Sequence, residues 1–134
     1  GARTPMPWAA QDEHGGFTSG QPWLPLGAEN LQRAADRQVG DPASLLELTR
    51  ELLALRRRNN ALRLGSLQVI EAGDALLALR RSVDDQAVLA LFNLSSRTCP
   101  WPSDCSPLGG VLAAVNGAEA GRELPPFGAI LIEE

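Results

Sequence analysis

The sequence of 134 residues predicts a mostly β chain with one long α-helix, its C-terminal half folded as an antiparallel β-sandwich. Three observations carry that reading. Beyond Gly65 the apolar residues fall into short runs of period two, separated by turn residues. Before it, Leu45, Leu48, Leu52 and Leu55 recur at three- and four-residue spacing, as a helix with one apolar face requires. Residues 1–40 show neither period and are instead punctuated by Pro5, Pro7, Gly15, Gly16, Gly20, Pro22, Pro25, Gly27 and Gly40, a loop composition.

Loops of that length are uncommon inside compact domains and are usually functional or packed on something else. Met6, Trp8, Phe17, Trp23, Leu24 and Leu26 would all need a surface to cover them, and a short helical turn is expected around 28–38. Asp41 followed by Pro42 is a helix start: the carboxylate can accept from an orphan amide, and the fixed φ of proline suits the first helical position. The helix is expected from about 42 to 59, with Leu46 and Leu53 widening the stripe and Arg56, Arg57 and Arg58 at the negative end of its dipole. Burying its six leucines would contribute on the order of 9 to 18 kcal/mol before conformational entropy is subtracted.

Strands are expected at 67–71, 75–82, 87–94, 110–115 and 127–132, with a weak one near 97–101. Asp84-Asp85 and Asn116-Gly117 supply the turns. Ala87 to Phe92 is apolar almost throughout, which predicts a central strand covered on both faces. Five to seven such strands fit an antiparallel sandwich.

Composition removes several function classes. A net charge of -4, with 16 acidic and 12 basic residues spread along the chain, offers no positive field for nucleic acid. No apolar run reaches the roughly 20 residues of a membrane span. All twelve basic residues are arginine, so lysine chemistry is excluded. Cys99 and Cys105 read as two free thiols or a small loop disulfide; with the lone His14 far away in sequence they lack the ligands of a zinc site. No cofactor is expected. No basic stretch followed by an apolar one opens the sequence, so cytoplasmic residence is the expectation, with periplasm and secretion left open.

Three segments, taken in order, resemble one family. RTPMPW (3–8), GGF (15–17) and PWLPL (22–26) resemble the loop after the seventh barrel strand in α-glucosidases of the α-amylase family, of the oligo-1,6-glucosidase and trehalose synthase-like kind. DPASLLELTRELLALRRRNNALRLG (41–65) resembles the last barrel helix and the link that leaves it. LLALRR (76–81), VLALFNLS (88–95) and LPPFGAILIEE (124–134) resemble strands of the family's C-terminal all-β domain. The resemblance implies an antiparallel β-sandwich C-terminal domain preceded by the tail of a (β/α)8 barrel. The segments would be a barrel loop at 1–40, the last barrel helix at 41–62 and the sandwich at 63–134.

It also implies retaining chemistry by two carboxyl groups about 5 to 5.5 Å apart. Those acids belong to the fourth and fifth barrel strands, and a third follows an Asn-His pair on the seventh; none has a counterpart here. His14, preceded by Asp12-Glu13 and followed by Gly15, does not form that run, and the chain is expected to begin just past it. The catalytic residues in this chain are therefore expected to be none, and the implied partners are the catalytic barrel and, in the intact enzyme, an α-glucoside or maltooligosaccharide. Arg3 alone carries over as a substrate-binding residue: its fork suits a bidentate pairing with an acid that holds a terminal sugar hydroxyl.

Trp8, Trp23 and Trp101 have faces suited to sugar rings, although packing is the plainer reading for each. Asn93-Leu94-Ser95 is a glycosylation sequon at a predicted strand end, where modification is not expected. The resulting function is a C-terminal structural segment of a retaining α-glucosidase. The alternatives are a carbohydrate-binding sandwich module docking through Trp101 and a catalytically inactive partner subunit of the same family.

Overall fold

The computed structural model describes residues 3–107 and 109–134. The chain divides into two compact units, one up to Leu53 and one from Ala54 to Glu134, the division falling within the long helix.

In the first unit the expected helical turn around 28–38 is two short helices, α1 (Ala28–Gln32) and α2 (Ala35–Gln38). The long helix α3 (Leu45–Arg58) begins later than Asp41-Pro42 predicts. The reason is local hydrogen bonding. The Asp41 carboxylate accepts from the Ala43 amide at 2.9 Å, closing a turn on itself, and the cap is Ser44, whose Oγ accepts from Glu47 N at 3.2 Å. Gln38 reinforces this start, its Oε1 accepting from Leu46 N and its carbonyl from Ser44 Oγ.

The leucine stripe is a second departure. Leu55 is buried at 2% exposure, but Leu45 stands 73% exposed, Leu53 50%, and Leu52 is also open. Of the predicted leucine burial, one full side chain is realised, worth about 1.5 to 3 kcal/mol rather than six times that. The periodicity describes a face that wants covering, and the described residues do not cover it.

In the second unit α4 (Asn60–Leu64), which the periodicity does not separate from α3, starts where Asn59 Oδ1 accepts from Leu62 N at 3.0 Å. Five strands follow: β1 (Ser66–Ala72), β2 (Leu76–Val83), β3 (Gln86–Asn93), β4 (Val111–Val115) and β5 (Ala129–Glu133). They form one antiparallel sheet in the order β1-β2-β3-β5-β4. β3 is its centre, as the apolar run predicts: Val88, Leu89, Ala90 and Leu91 are all buried. Asp84, at φ 51°, makes the β2–β3 turn, and Asn116 and Gly117 both take the positive φ that a tight turn of the primed kind needs.

The expected weak strand at 97–101 is reduced to a single bridge between Cys99 and Leu124. Among the described residues the strands therefore make one sheet, not the two of a sandwich. Pro100, Pro102, Pro107, Pro125 and Pro126 explain this, since each removes a ladder donor from the segments that would form the second sheet. Those irregular segments still make a covering layer. Leu76, Ala78, Leu89, Leu91, Ile130 and Ile132 on one sheet face pack with Cys99, Cys105, Ala118 and Leu124. Arg80 and Glu134 close an edge of this layer with a bidentate pair at 2.6 and 2.8 Å, and the carboxylate holds the guanidinium pKa above its ordinary value.

Candidate functional site

The first unit contains the one residue for which a substrate role is expected, and its surroundings are built from backbone outward. The Gly15 carbonyl accepts from both Trp8 N at 2.8 Å and Ala9 N at 3.0 Å. On the other side of the same stretch Pro7 O accepts from Ala35 N and Trp8 O from Asp36 N, while the Asp36 carboxylate takes Ala10 N at 3.0 and 3.1 Å. Residues 7–10 are thus held along both edges without being a strand. Glycine suits position 15: its φ is +67°, and an added Cβ would lie 2.6 Å from Leu26 Cδ2, which would have to move.

On this frame Arg3 lies over the Trp23 ring, its Cζ 5.8 Å from the ring centroid. The two residues, with Thr4, Pro5, Phe17, Pro22 and Leu24, line a cleft of about 200 Å³. Trp23 is 88% exposed and Trp8, Phe17 and Met6 are also open, so the packing expected of the tryptophans in this loop is not found among the described residues. The cleft offers a guanidinium fork beside an uncovered aromatic face, a combination suited to a carboxylate or to a hydroxyl-rich ring.

Trp101 behaves differently. It is half-buried against the sheet core, and its Nε1 donates to Cys105 O at 2.5 Å. Packing is its structural role, with one flank left on a second cleft between the β1–β2 turn and residues 99–103.

Among the described residues of the second unit, Asn93 has the most heavily bonded side chain. Only 2% exposed, it donates from Nδ2 to the carbonyls of Arg97, Leu124 and Pro125 at 2.6, 3.1 and 2.8 Å. Its Oδ1 accepts from Ser95 N, Ser95 Oγ and the Cys99 thiol. The amide of the sequon is therefore committed to the fold and unavailable to a glycan. Cys99 and Cys105 are both buried free thiols, so the disulfide reading of the loop is not realised. Burial pushes the Cys105 thiol pKa up, with nearby Glu134, Asp104 and Glu71 adding to the shift. Sequence reasoning did not single out this polar hub; its signal is an Asn two residues before Ser95 at a strand end, a spacing suited to a side-chain turn.

Known proteins match this chain in sequence and in fold. Residues 1–65 match the model of the α-amylase catalytic domain. The chain is 43% identical over 95 residues to a probable α-glucosidase of Rhizobium meliloti, covering 71% of this chain and 17% of that protein. It is 34% identical over 101 residues to a trehalose-6-phosphate hydrolase of Escherichia coli, covering 75% of this chain and 18% of that one. The solved structure of the trehalulose synthase MutB from Pseudomonas mesoacidophila MX-45 matches with a TM-score of 0.87 at 27% identity, over 98% of this chain and 25% of its own. The chain spans about a sixth of the length of these curated relatives. The family model on 1–65, the α-glucosidase identity and the structural match agree: this chain belongs to the α-amylase family of glycoside hydrolases.

Proposed function

We propose that this chain is the C-terminal structural segment of a retaining α-glucosidase acting on α-linked glucosides, and that the catalytic carboxylates lie outside it. In this reading 1–40 is the loop after the seventh barrel strand, 41–62 the last barrel helix and 63–134 the C-terminal β-domain. The observation that carries it is the uncovered apolar face of α3. Leu45, Leu52 and Leu53 stand exposed along a helix whose periodicity is that of a buried one, the condition of an element whose packing partner is the rest of a barrel. The length of the relatives, several times that of this chain, supports the same reading.

The work of the segment is then to cover apolar barrel surface and to hold the Arg3 loop. Arg3, backed by the Trp23 ring, contributes a bidentate contact to an acid that binds a terminal sugar hydroxyl of the α-glucoside or maltooligosaccharide. The purified chain should not turn over a nitrophenyl α-glucoside; robust hydrolysis by the chain alone would sink the proposal. For Arg3 the measurement is made in the full-length enzyme, where Arg3→Lys keeps the charge and loses the fork. A drop in kcat/KM of about tenfold or more is expected, and unchanged kinetics would remove Arg3 from the substrate pocket.

A further inference from the structure

We propose that the cleft beside Trp101 in the second unit is a binding site for a neutral sugar. The cleft has a volume of about 570 Å³ and lies between two walls of different origin. One wall is the β1–β2 turn, with Glu71, Asp74 and Ala75; the other is the proline-rich run Pro100, Trp101 and Pro102.

Both walls are fixed. A bulge between Val69 and Glu71 offsets β1 from β2, and Gly73 N donates to Leu76 O at 3.0 Å to close the turn. Opposite, Cys99 exchanges two backbone bonds with Leu124 at 3.0 and 2.8 Å, the Cys99 thiol donates to Asn93 Oδ1, and Cys105 N donates to Pro102 O at 3.2 Å. A ligand entering here finds a preformed site and does not have to order a loop.

The chemistry of the lining selects the ligand. The indole N–H of Trp101 is already satisfied by Cys105 O, so what the ring has left for a ligand is its apolar surface, suited to the C–H face of a pyranose. Glu71 and Asp74 are exposed carboxylates, and among the described residues neither enters an ion pair. Ionised carboxylates only accept hydrogen bonds, so they suit a ligand rich in hydroxyl donors. No arginine lines the cleft, and the pair of negative charges repels phosphate and carboxylate groups. An aromatic face flanked by unpaired acceptors with no cation fits an uncharged glucoside and disfavours a phosphosugar.

The test titrates the isotope-labelled 134-residue chain with maltotriose and, separately, with glucose 6-phosphate, following amide and indole resonances. Expected are saturable shifts at Gly73, Asp74, Ser103 and the Trp101 indole N–H with maltotriose, and none of these with glucose 6-phosphate. Both acids are exposed, so the double variant Glu71→Ala, Asp74→Ala keeps the fold, and its Kd for maltotriose should rise about tenfold or more. Absence of saturable shifts up to the solubility of the sugar, shifts centred on Trp8 and Trp23, equal response to glucose 6-phosphate, or an unchanged Kd in the double variant would each overturn the proposal. None of these readouts depends on α-glucosidase activity, so the binding site and the proposed function stand or fall separately.

Discussion

Replacing Asn93 by alanine should destabilise the β unit by about 3 kcal/mol: its side chain makes six hydrogen bonds, each worth about 1 kcal/mol, and the partners that keep a second donor offset about half of that. Three carbonyls accept from Nδ2, yet each keeps a second donor: Ser95 Oγ for Arg97 O, Cys99 N for Leu124 O and Gly128 N for Pro125 O. That redundancy limits the penalty on the acceptor side. The donors fare worse, because Ser95 N and the Cys99 thiol lose their acceptor, the thiol in a residue only 7% exposed. Asn93→Asp should cost more than Asn93→Ala, since it places a charge where only 2% of the residue is exposed and removes all three donated bonds. Equilibrium urea unfolding gives the stability, and the rate at which Ellman's reagent attacks Cys99 reports the local consequence, which should be faster in both variants. If Asn93→Ala unfolds within about 1 kcal/mol of the parent chain and leaves Cys99 equally protected, the hub is not what holds this layer together.

Gly15→Ala should cost about 1 to 3 kcal/mol in the first unit, combining the left-handed φ of +67° with the approach to Leu26. Limited proteolysis should then cut within residues 7–16 of the variant before it cuts the parent, and identical digestion patterns would refute the double clamp on this stretch. The raised pKa of Cys105 gives a pH dependence. Because the folded thiol holds its proton beyond its ordinary value of 9.0, the unfolded chain binds fewer protons just above that pH, and stability falls as pH rises through this window. Cys105→Ala should flatten that alkaline limb in thermal melts at several pH values, and an equally steep limb in the variant would assign the loss elsewhere.

Much of the fold is legible from period alone. Each of the five main strands is found at its predicted place to within a residue or two, and the long helix to within three at its start. The misses share a cause, which is that pattern reports what a residue needs and not what it meets. The Asp41-Pro42 signal is chemically sound, but Asp41 spends its carboxylate on Ala43 and the cap passes to Ser44. The stripe from Leu45 to Leu53 asks for a covering surface that the described residues do not supply, and no count of leucines reveals that. At 97–101 the prolines should weigh more than the apolar residues between them. The Arg3–Trp23 contact is a matter of loop geometry across twenty residues, for which no period exists.

The reach of the Asn93 side chain also constrains the order in which this unit can assemble. Its amide joins the end of β3 to carbonyls 31 and 32 residues further along the chain, while its oxygen fixes a thiol only six residues away. The hub is therefore complete only once the distant segment before β5 has returned, so a local loop shares its anchor with a long-range contact. Amide exchange at Cys99 and Leu124 should accordingly be protected late in refolding and lost together in opening, as a single latch rather than two loops.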